Sequence, residues 1–299
     1  MGRRTLYVSD LDGTLLGKNS RLTDFSRDIL NGLLDEGLLL TVASARSVVT
    51  IGEVLRGLRL RLPVVEYNGA FLTELATRSH RVVNALKPQQ VRTVYETILD
   101  HGCRPFVSSF DGVSDRVYYC DIPNAGMEDY VTNRTDARDE RLTRVPDLAA
   151  YLDRAVVCFT VIDEEARLRA LSARLEALAP GEIVSHLFCD AYHPEWFWLT
   201  IHDCSASKDR AIRRLMECER FEDAELVVFG DHENDLSMFR AADRAVATSN
   251  ATESLKAIAT EIIGSNEEDS VARYIEMDFR GQVIPSDVAE RSRGSNLTD

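Results

Sequence analysis

The stretch TLYVSDLDGTLL, residues 5–16, closes a short apolar run with two carboxylates one residue apart, Asp10 and Asp12, and then a glycine. Two such anions repel unless a positive group sits between them or one of them keeps a proton. Taken alone, the pattern is also ordinary strand-end turn chemistry, because Asp-Gly steps are common in turns. What surrounds it decides the matter. FSRDILNGLLDEG places Phe25, Ile29, Leu30, Leu33 and Leu34 on one helical face and stops at Gly37, and LLLTVASA is an unbroken apolar strand. SVVTIGEVLRGL reads as a second helix and PVVEYNGA as a third strand ending in a turn. The same rhythm returns after about residue 205, with SASKDRAIRRLMECE, ELVVFGD, NDLSMFRAAD, RAVATS, ATESLKAIAT, EIIG and EEDSVARYIEM alternating helix and strand. Strands that are apolar throughout, separated by helices, predict a doubly wound parallel sheet covered on both faces. The fold class is α/β.

The middle of the chain has another texture. PQQVRTVYETILDHG and EEARLRALSARLEAL are helical, RPFVSSF, RVYYCD, AVVCFTVID and EWFWLTIH are strand-like, and NRTDARDERLTR reads as a solvated charged surface. The expected organisation is a discontinuous core, residues 1–82 and 201–277, an inserted α+β domain, residues 83–200, and a polar, loosely ordered tail from 278 to 299.

Four short stretches carry chemistry: DLDGTLL, VASAR, ASK and GDHEND. In a doubly wound sheet, ligands bind outside the carboxyl ends of the strands, where these motifs fall. Asp10, Asp12, Asp231 and Asp235 would then crowd together, an arrangement that needs a divalent cation or a shared proton. All-oxygen ligands of this kind favour Mg²⁺, with a substrate phosphate completing its shell. Lys208 offers a positive charge and Ser44 a hydroxyl, both suited to phosphoryl oxygens.

Together, DLDGTLL, VASAR, SASK and GDHENDLSM resemble the four ordered motifs of the haloacid-dehalogenase-like superfamily. The large insert, the NGA at residues 68–70 and the late SNATESLKAIAT and SNEEDSVARYI stretches resemble its Cof-type sugar-phosphatase branch. The resemblance implies that Asp10 is a nucleophile that becomes an aspartyl-phosphate, and that Asp12, starting protonated, is the general acid and base. It implies Mg²⁺ held by the Asp10 side chain, the Asp12 backbone carbonyl and Asp231, with Ser44, Lys208 and Asn234 on phosphate and Asp235 orienting the metal shell. It also implies that the insert closes over the core site as a cap and supplies the substrate-reading residues. Departures are Ala45 in place of a glycine, Asp209 after the lysine, Ser249 in the late AVATSNA and Ser270 before Val271. None removes a proposed reacting group. Arg46 either pairs with the aspartates or contacts substrate. Trp196 and Trp198 alternate in a strand pattern, so core packing is favoured over substrate stacking.

Composition excludes other classes. The 299 residues are 44% hydrophobic, with formal charge -14 and pI near 5.0, which speaks against nucleic acid or anionic membrane as partner. The six cysteines form no CxxC pair and read as reduced thiols. The first apolar run breaks at Asp10, too early for a signal-peptide core, so the expected location is cytoplasmic. The predicted activity is Mg²⁺-dependent hydrolysis of a small phosphorylated metabolite, a sugar phosphate first and a flavin or pyridoxal phosphate next. The alternatives are a phosphomutase using the same aspartyl-phosphate and a catalytically silent phosphate-binding regulator.

Overall fold

The computed structural model describes residues 4–136, 138–190 and 193–281. These split into two compact units, one running to Val82 and resuming at Ser207, the other Val83–Ala206. The first unit begins β1 (Thr5–Ser9), α1 (Asp24–Asp35), β2 (Leu39–Val42), α2 (Val48–Val54), β3 (Val64–Glu66), β4 (Phe71–Thr73) and β5 (His80–Val83). The second holds α3 (Pro88–Asp100), β6 (Pro105–Phe110), β7 (Asp115–Tyr119), α4 (Ala125–Asp136), β8 (Leu142–Arg144), β9 (Ala155–Asp163), α5 (Glu165–Leu178), β10 (Ile183–Cys189) and β11 (Phe197–Asp203). The chain then returns with α6 (Lys208–Glu219), β12 (Glu225–Gly230), α7 (Leu236–Ala241), β13 (Arg244–Thr248), α8 (Glu253–Lys256), β14 (Glu261–Ile263) and α9 (Ser270–Phe279).

Local chemistry sets these boundaries. Thr23 caps α1 by accepting the Ser26 amide at 3.0 Å. At the other end Gly37, with φ +101°, turns the chain so that Leu38 N–H reaches the Leu33 carbonyl at 2.9 Å and Gly37 N–H reaches Leu34 at 3.2 Å. The main sheet runs β14-β13-β12-β1-β2, every neighbouring pair parallel, and a single parallel bridge between Ala43 and Val65 brings β3 beside the end of β2. Successive residues of a strand point to opposite faces. Tyr7 packs with α1, α2 and α9, whereas Leu6 and Val8 pack with residues of α6, α7 and α8. The sheet is buried on both sides, which is why its strands carry no polar alternation. From β1 the chain winds outward through β2 to β3, and after the second unit it restarts at β12 and winds the other way. The order reverses between β1 and β12, and their carboxyl ends form the switch point where α/β sheets take ligands.

The second unit is a six-stranded sheet, β10-β11-β9-β6-β7-β8, antiparallel except for β7 with β8. Helices α3 and α5 pack on one face against Val107, Phe159 and Leu199, while α4 covers Phe106 and Ile162 on the other. Trp196 and Trp198 are half-buried beside that second cluster, Trp198 donating from Nε1 to Asp190 Oδ2 at 3.0 Å and edge-on to Tyr130.

The fold departs from the sequence reading in three places. The charged stretch at residues 133–144 is not wholly solvated. The Asp139 side chain is buried between Arg134 and Arg141, at 2.6 and 2.7 Å. Burial alone would raise its pKa, but the Arg141 hydrogen bond and charge outweigh that and lower it to about 2. Helix α4 and strands β4, β5, β8 and β10 are additional elements, too short or too weakly periodic to stand out. Finally, α9 continues to Phe279, past the expected start of the tail; residues 282–299 lie outside the described residues.

Asp278 explains the longer helix. Arg244 forks onto its two oxygens at 2.9 and 2.7 Å and onto Glu225 at 3.0 and 3.3 Å, and also donates to Tyr274 Oη at 3.0 Å. Tyr7 donates to the same Asp278 at 2.7 Å. This network joins the amino ends of β12 and β13 to α9, at the sheet edge opposite the switch point. Arg244→Met should strand both carboxylates and cost about 1–3 kcal/mol, a buried-pair loss discounted for partial exposure. Urea unfolding should show that loss, with catalytic turnover unchanged.

Candidate active site

Asp10 follows the last residue of β1, its amide still in the ladder with the Phe229 carbonyl at 2.9 Å. Asp231 follows Gly230 at the end of β12, and Lys208 opens α6. Lys208 is 1% exposed, and its ammonium lies 2.7 Å from Asp10 Oδ1 and 2.6 Å from Asp235 Oδ1. It is therefore no solvated helix-start charge. Asp235 turns its other oxygen to the backbone amides of Asp231 and His232, at 3.0 and 3.1 Å, which fastens the GDHEND turn to the lysine. Asp231 Oδ1 accepts from Thr14 Oγ1 at 2.9 Å.

Two glycines make this packing possible. Gly13 has φ +73°, and a Cβ there would meet Asp231 Oδ2 at 2.2 Å. A Cβ on Gly230 would meet Asp235 Oδ2 at 2.6 Å. The Gly13 carbonyl is held by Asn250 Nδ2 at 2.8 Å and Thr248 Oγ1 at 3.4 Å, and Leu16 N–H closes a wide turn onto Leu11 O at 2.9 Å.

Oxygens of Asp10, Asp231 and Asp235 lie within 4.8 Å of one another. Burial, reinforced by Asp235 and Asp231, pushes Asp10 well above the ordinary carboxylate range despite the opposing pull of Lys208. Burial and then Asp235 raise Asp231 to about 6, against the Thr14 hydrogen bond and Lys208. For Lys208, burial works against the charge, but Asp10 and Asp235 more than offset it and raise its pKa. Three carboxylates thus share one buried cation. The deficit of positive charge is what a divalent metal would fill, and the donor set, all oxygen, suits Mg²⁺.

Asp12 stands apart from this cluster. Both of its oxygens accept from Arg46, Nε to Oδ2 at 2.6 Å and Nη2 to Oδ1 at 2.7 Å, and the carboxylate is 49% exposed. Of the two roles left open for Arg46, the structure shows pairing, with the outlying aspartate. The aspartate expected to act as general acid and base is thus engaged by a guanidinium on both oxygens.

Ser44 lies at the end of β2, 2% exposed, with its Oγ accepting the Arg46 amide at 3.2 Å. Its backbone is clamped to the third strand by Ser44 N–H to Val65 O at 3.0 Å and Asn68 N–H to Ser44 O at 2.9 Å. Asn234 donates to Asn68 Oδ1 at 3.2 Å. His232 is exposed. Thr14, Asn250 and buried Glu66, which accepts from the Val48 amide and Thr73 hydroxyl beneath the 44–47 loop, also build the site. Thr14, Asn250 and Asn68 all lie in stretches whose family resemblance was visible, yet only the contact partners reveal their roles. The departing residues are accommodated: Ala45 is exposed, Asp209 pairs with Arg213 at 3.8 Å, Ser249 donates from its amide to Gly264 O at 3.3 Å, and the Ser270 hydroxyl bonds the Gly264 and Ser265 carbonyls at 2.9 Å.

The sequence profile of haloacid dehalogenase-like hydrolases matches residues 7–275. The chain belongs to that family. Among its relatives, the 5-amino-6-(5-phospho-D-ribitylamino)uracil phosphatase YwtE of Bacillus subtilis is 25% identical, over 91% of this chain and 97% of that one. The pyridoxal phosphate phosphatase YbhA of Escherichia coli is 26% identical, over 89% and 95%. A haloacid dehalogenase-like hydrolase from Bacteroides thetaiotaomicron shares the fold, with a TM-score of 0.74 and 23% identity over 93% of this chain and 100% of the other. Among the described residues, no helix of this family member is long and apolar enough to cross a membrane.

Proposed function

We propose that the protein is a Mg²⁺-dependent phosphatase that hydrolyses a small phosphorylated metabolite through an aspartyl-phosphate on Asp10. The observation that carries this reading is the buried Asp10–Lys208–Asp235 chain beside Asp231 at the sheet's switch point. Phosphoryl transfer asks mainly for positioning and charge neutralisation, and these residues supply both. Mg²⁺, held by Asp10, Asp231 and the Asp12 backbone carbonyl, would supply positive charge against the phosphoryl oxygens and the clustered carboxylates.

Lys208 fixes one oxygen of Asp10, leaving the other to attack phosphorus. An arriving phosphate dianion competes with Asp12 for the Arg46 guanidinium. Asp12, once released, takes up a proton from solvent, gives it to the leaving oxygen and then takes one from the water that hydrolyses the aspartyl-phosphate. Ser44, Lys208 and Asn234 hold phosphoryl oxygens, and Asp235 orients Lys208 and the turn bearing Asp231. Relatives that act on a phosphoribityl compound and on pyridoxal phosphate support a small soluble substrate.

Metal dependence tests the reading. The raised pKa of Asp231, about 6 against 3.8, means that the metal-free protein is stabilised by protonation there, a contribution present below pH 4 and lost as pH rises through 6. Mg²⁺ at about 100 times its Kd should therefore raise Tm at pH 7.5, by about 2.7 kcal/mol of stability, and should do less at pH 5, where protons compete for Asp231. Phosphate release from a panel of phosphorylated metabolites should require Mg²⁺ and stop with chelator. Undiminished release in chelator would overturn the metal assignment.

A further inference from the structure

A buried carboxyl group that the reaction does not use lies beneath the VASAR stretch. Glu66, the last residue of β3, is wholly buried. A carboxyl group out of water is costly unless its oxygens are engaged, so the groups that engage them indicate its use. Its Oε1 accepts from the Thr73 hydroxyl on β4, and Thr73 Oγ1 lies 2.7 Å from His80 Nδ1 on β5. Those contacts tie it to its own small sheet. Its Oε2 reaches out of that sheet and accepts from the amide of Val48.

Val48 is the first residue of α2, where backbone N–H groups have no partner within the helix. Ser47 stands at the capping position, but its side chain makes no cap; its hydroxyl lies 3.2 Å from Thr50 Oγ1 instead. Glu66, from a neighbouring strand, does the capping. Three backbone bonds hold the other end of the same loop: Ser44 N–H to Val65 O at 3.0 Å, Asn68 N–H to Ser44 O at 2.9 Å and Tyr67 N–H to Arg46 O at 3.1 Å. The turn that supplies two of them keeps Tyr67, Asn68 and Gly69 in the left-handed region, with φ +49°, +54° and +111°. Side chains adopt that conformation at a cost, which the surrounding bonds must sustain.

Between these fixed ends lie the Ser44 hydroxyl and Arg46, whose guanidinium forks onto Asp12 at 2.6 and 2.7 Å. We infer that Glu66 is a positioning residue for the phosphoryl site: by fixing the Val48 amide it sets where the 44–48 loop ends, and so the spacing of Ser44 and Arg46. The inference rests on the phosphatase reading for the ligand, and on the first unit alone for the geometry.

The bond can be broken from either side. Val48→Pro removes the N–H, proline suits the first position of a helix, and Ser47, at φ -82° and ψ 160°, already has the extended backbone that precedes proline. Glu66→Met keeps an unbranched shape and removes both acceptors. The probe is inorganic phosphate, titrated by calorimetry in saturating Mg²⁺. Each variant should raise the phosphate Kd about tenfold, because the binding groups are displaced rather than removed. The double variant should raise it no further, since both changes delete one bond. The Kd for Mg²⁺ should stay at the wild-type value, because Asp10 and Asp231 follow β1 and β12. Glu66→Gln, whose amide oxygen still accepts from Val48, should bring the phosphate Kd back to within about twofold of wild type.

An unchanged phosphate Kd in Val48→Pro, additive losses in the double variant, or phosphate and Mg²⁺ affinities falling together would overturn the inference. Where Glu66→Met does not fold, Val48→Pro and Glu66→Gln decide. If the wild type neither binds phosphate nor releases it from phosphorylated metabolites, the phosphatase reading fails separately, and hydrogen exchange of Val48→Pro decides. Faster exchange confined to residues 44–51 upholds the positioning role; no change, or faster exchange throughout the unit, refutes it.

Discussion

Asp10→Asn should abolish phosphate release, by at least about 10⁴-fold, while leaving the protein folded. The substitution replaces an anionic oxygen with an amide of the same shape, and an amide does not attack phosphorus. Lys208 keeps its 2.6 Å bond to Asp235, so the helix start and the GDHEND turn stay in place. Removing the charge at position 10 also relieves the burial cost and the repulsion from Asp235 and Asp231 that push Asp10 upward. The metal-free variant should therefore melt at or above the wild-type temperature at pH 7.5. Loss of activity with retained or increased Tm separates chemistry from folding. Turnover at the wild-type rate would remove Asp10 from the mechanism.

The second large effect is at Asp12, and its size depends on the leaving group. Asp12→Asn should slow hydrolysis of an alkyl phosphate by about 10²–10⁴-fold, because a poorly stabilised alkoxide must leave without a proton. With p-nitrophenyl phosphate the first step needs little proton donation and should survive. The second step, attack of water on the aspartyl-phosphate, still lacks its base. Asp12→Asn with an aryl phosphate should thus show one rapid turnover followed by slow release, visible as a burst of nitrophenolate. Arg46 holds both oxygens of Asp12, at 2.6 and 2.7 Å.

Much of this site was legible in the chain because strand ends in a parallel sheet announce themselves. Apolar runs closed by DLDG, VASAR and GDHEND place Asp10, Ser44 and Asp231 on one edge before any coordinates are known. Other features depend on tertiary partners. The bonds from Thr14 to Asp231 and from Asn250 to Gly13 join residues more than two hundred positions apart, and neither residue type at those positions signals its partner. The fork of Arg46 on Asp12 separates two aspartates that spacing alone puts together. Asp139 was read as solvated because charged stretches usually are; only the positions of Arg134 and Arg141 explain its burial. In the second unit, alternation in β9 and β11 was visible, but that Thr200 Oγ1 and His202 Nε2 find no hydrogen-bond partner among the described residues is a property of packing rather than of pattern.

Rapid acid quench of Asp12→Asn mixed with Mg²⁺ and p-nitrophenyl phosphate, followed by digestion and mass spectrometry, tests the central claim most directly. The peptide containing Asp10 should carry the mass of one phosphoryl group, and the adduct should vanish in the Asp10→Asn, Asp12→Asn double variant. A burst with no adduct on that peptide, or a phosphoryl group found on another residue, would contradict the assignment of Asp10 as nucleophile.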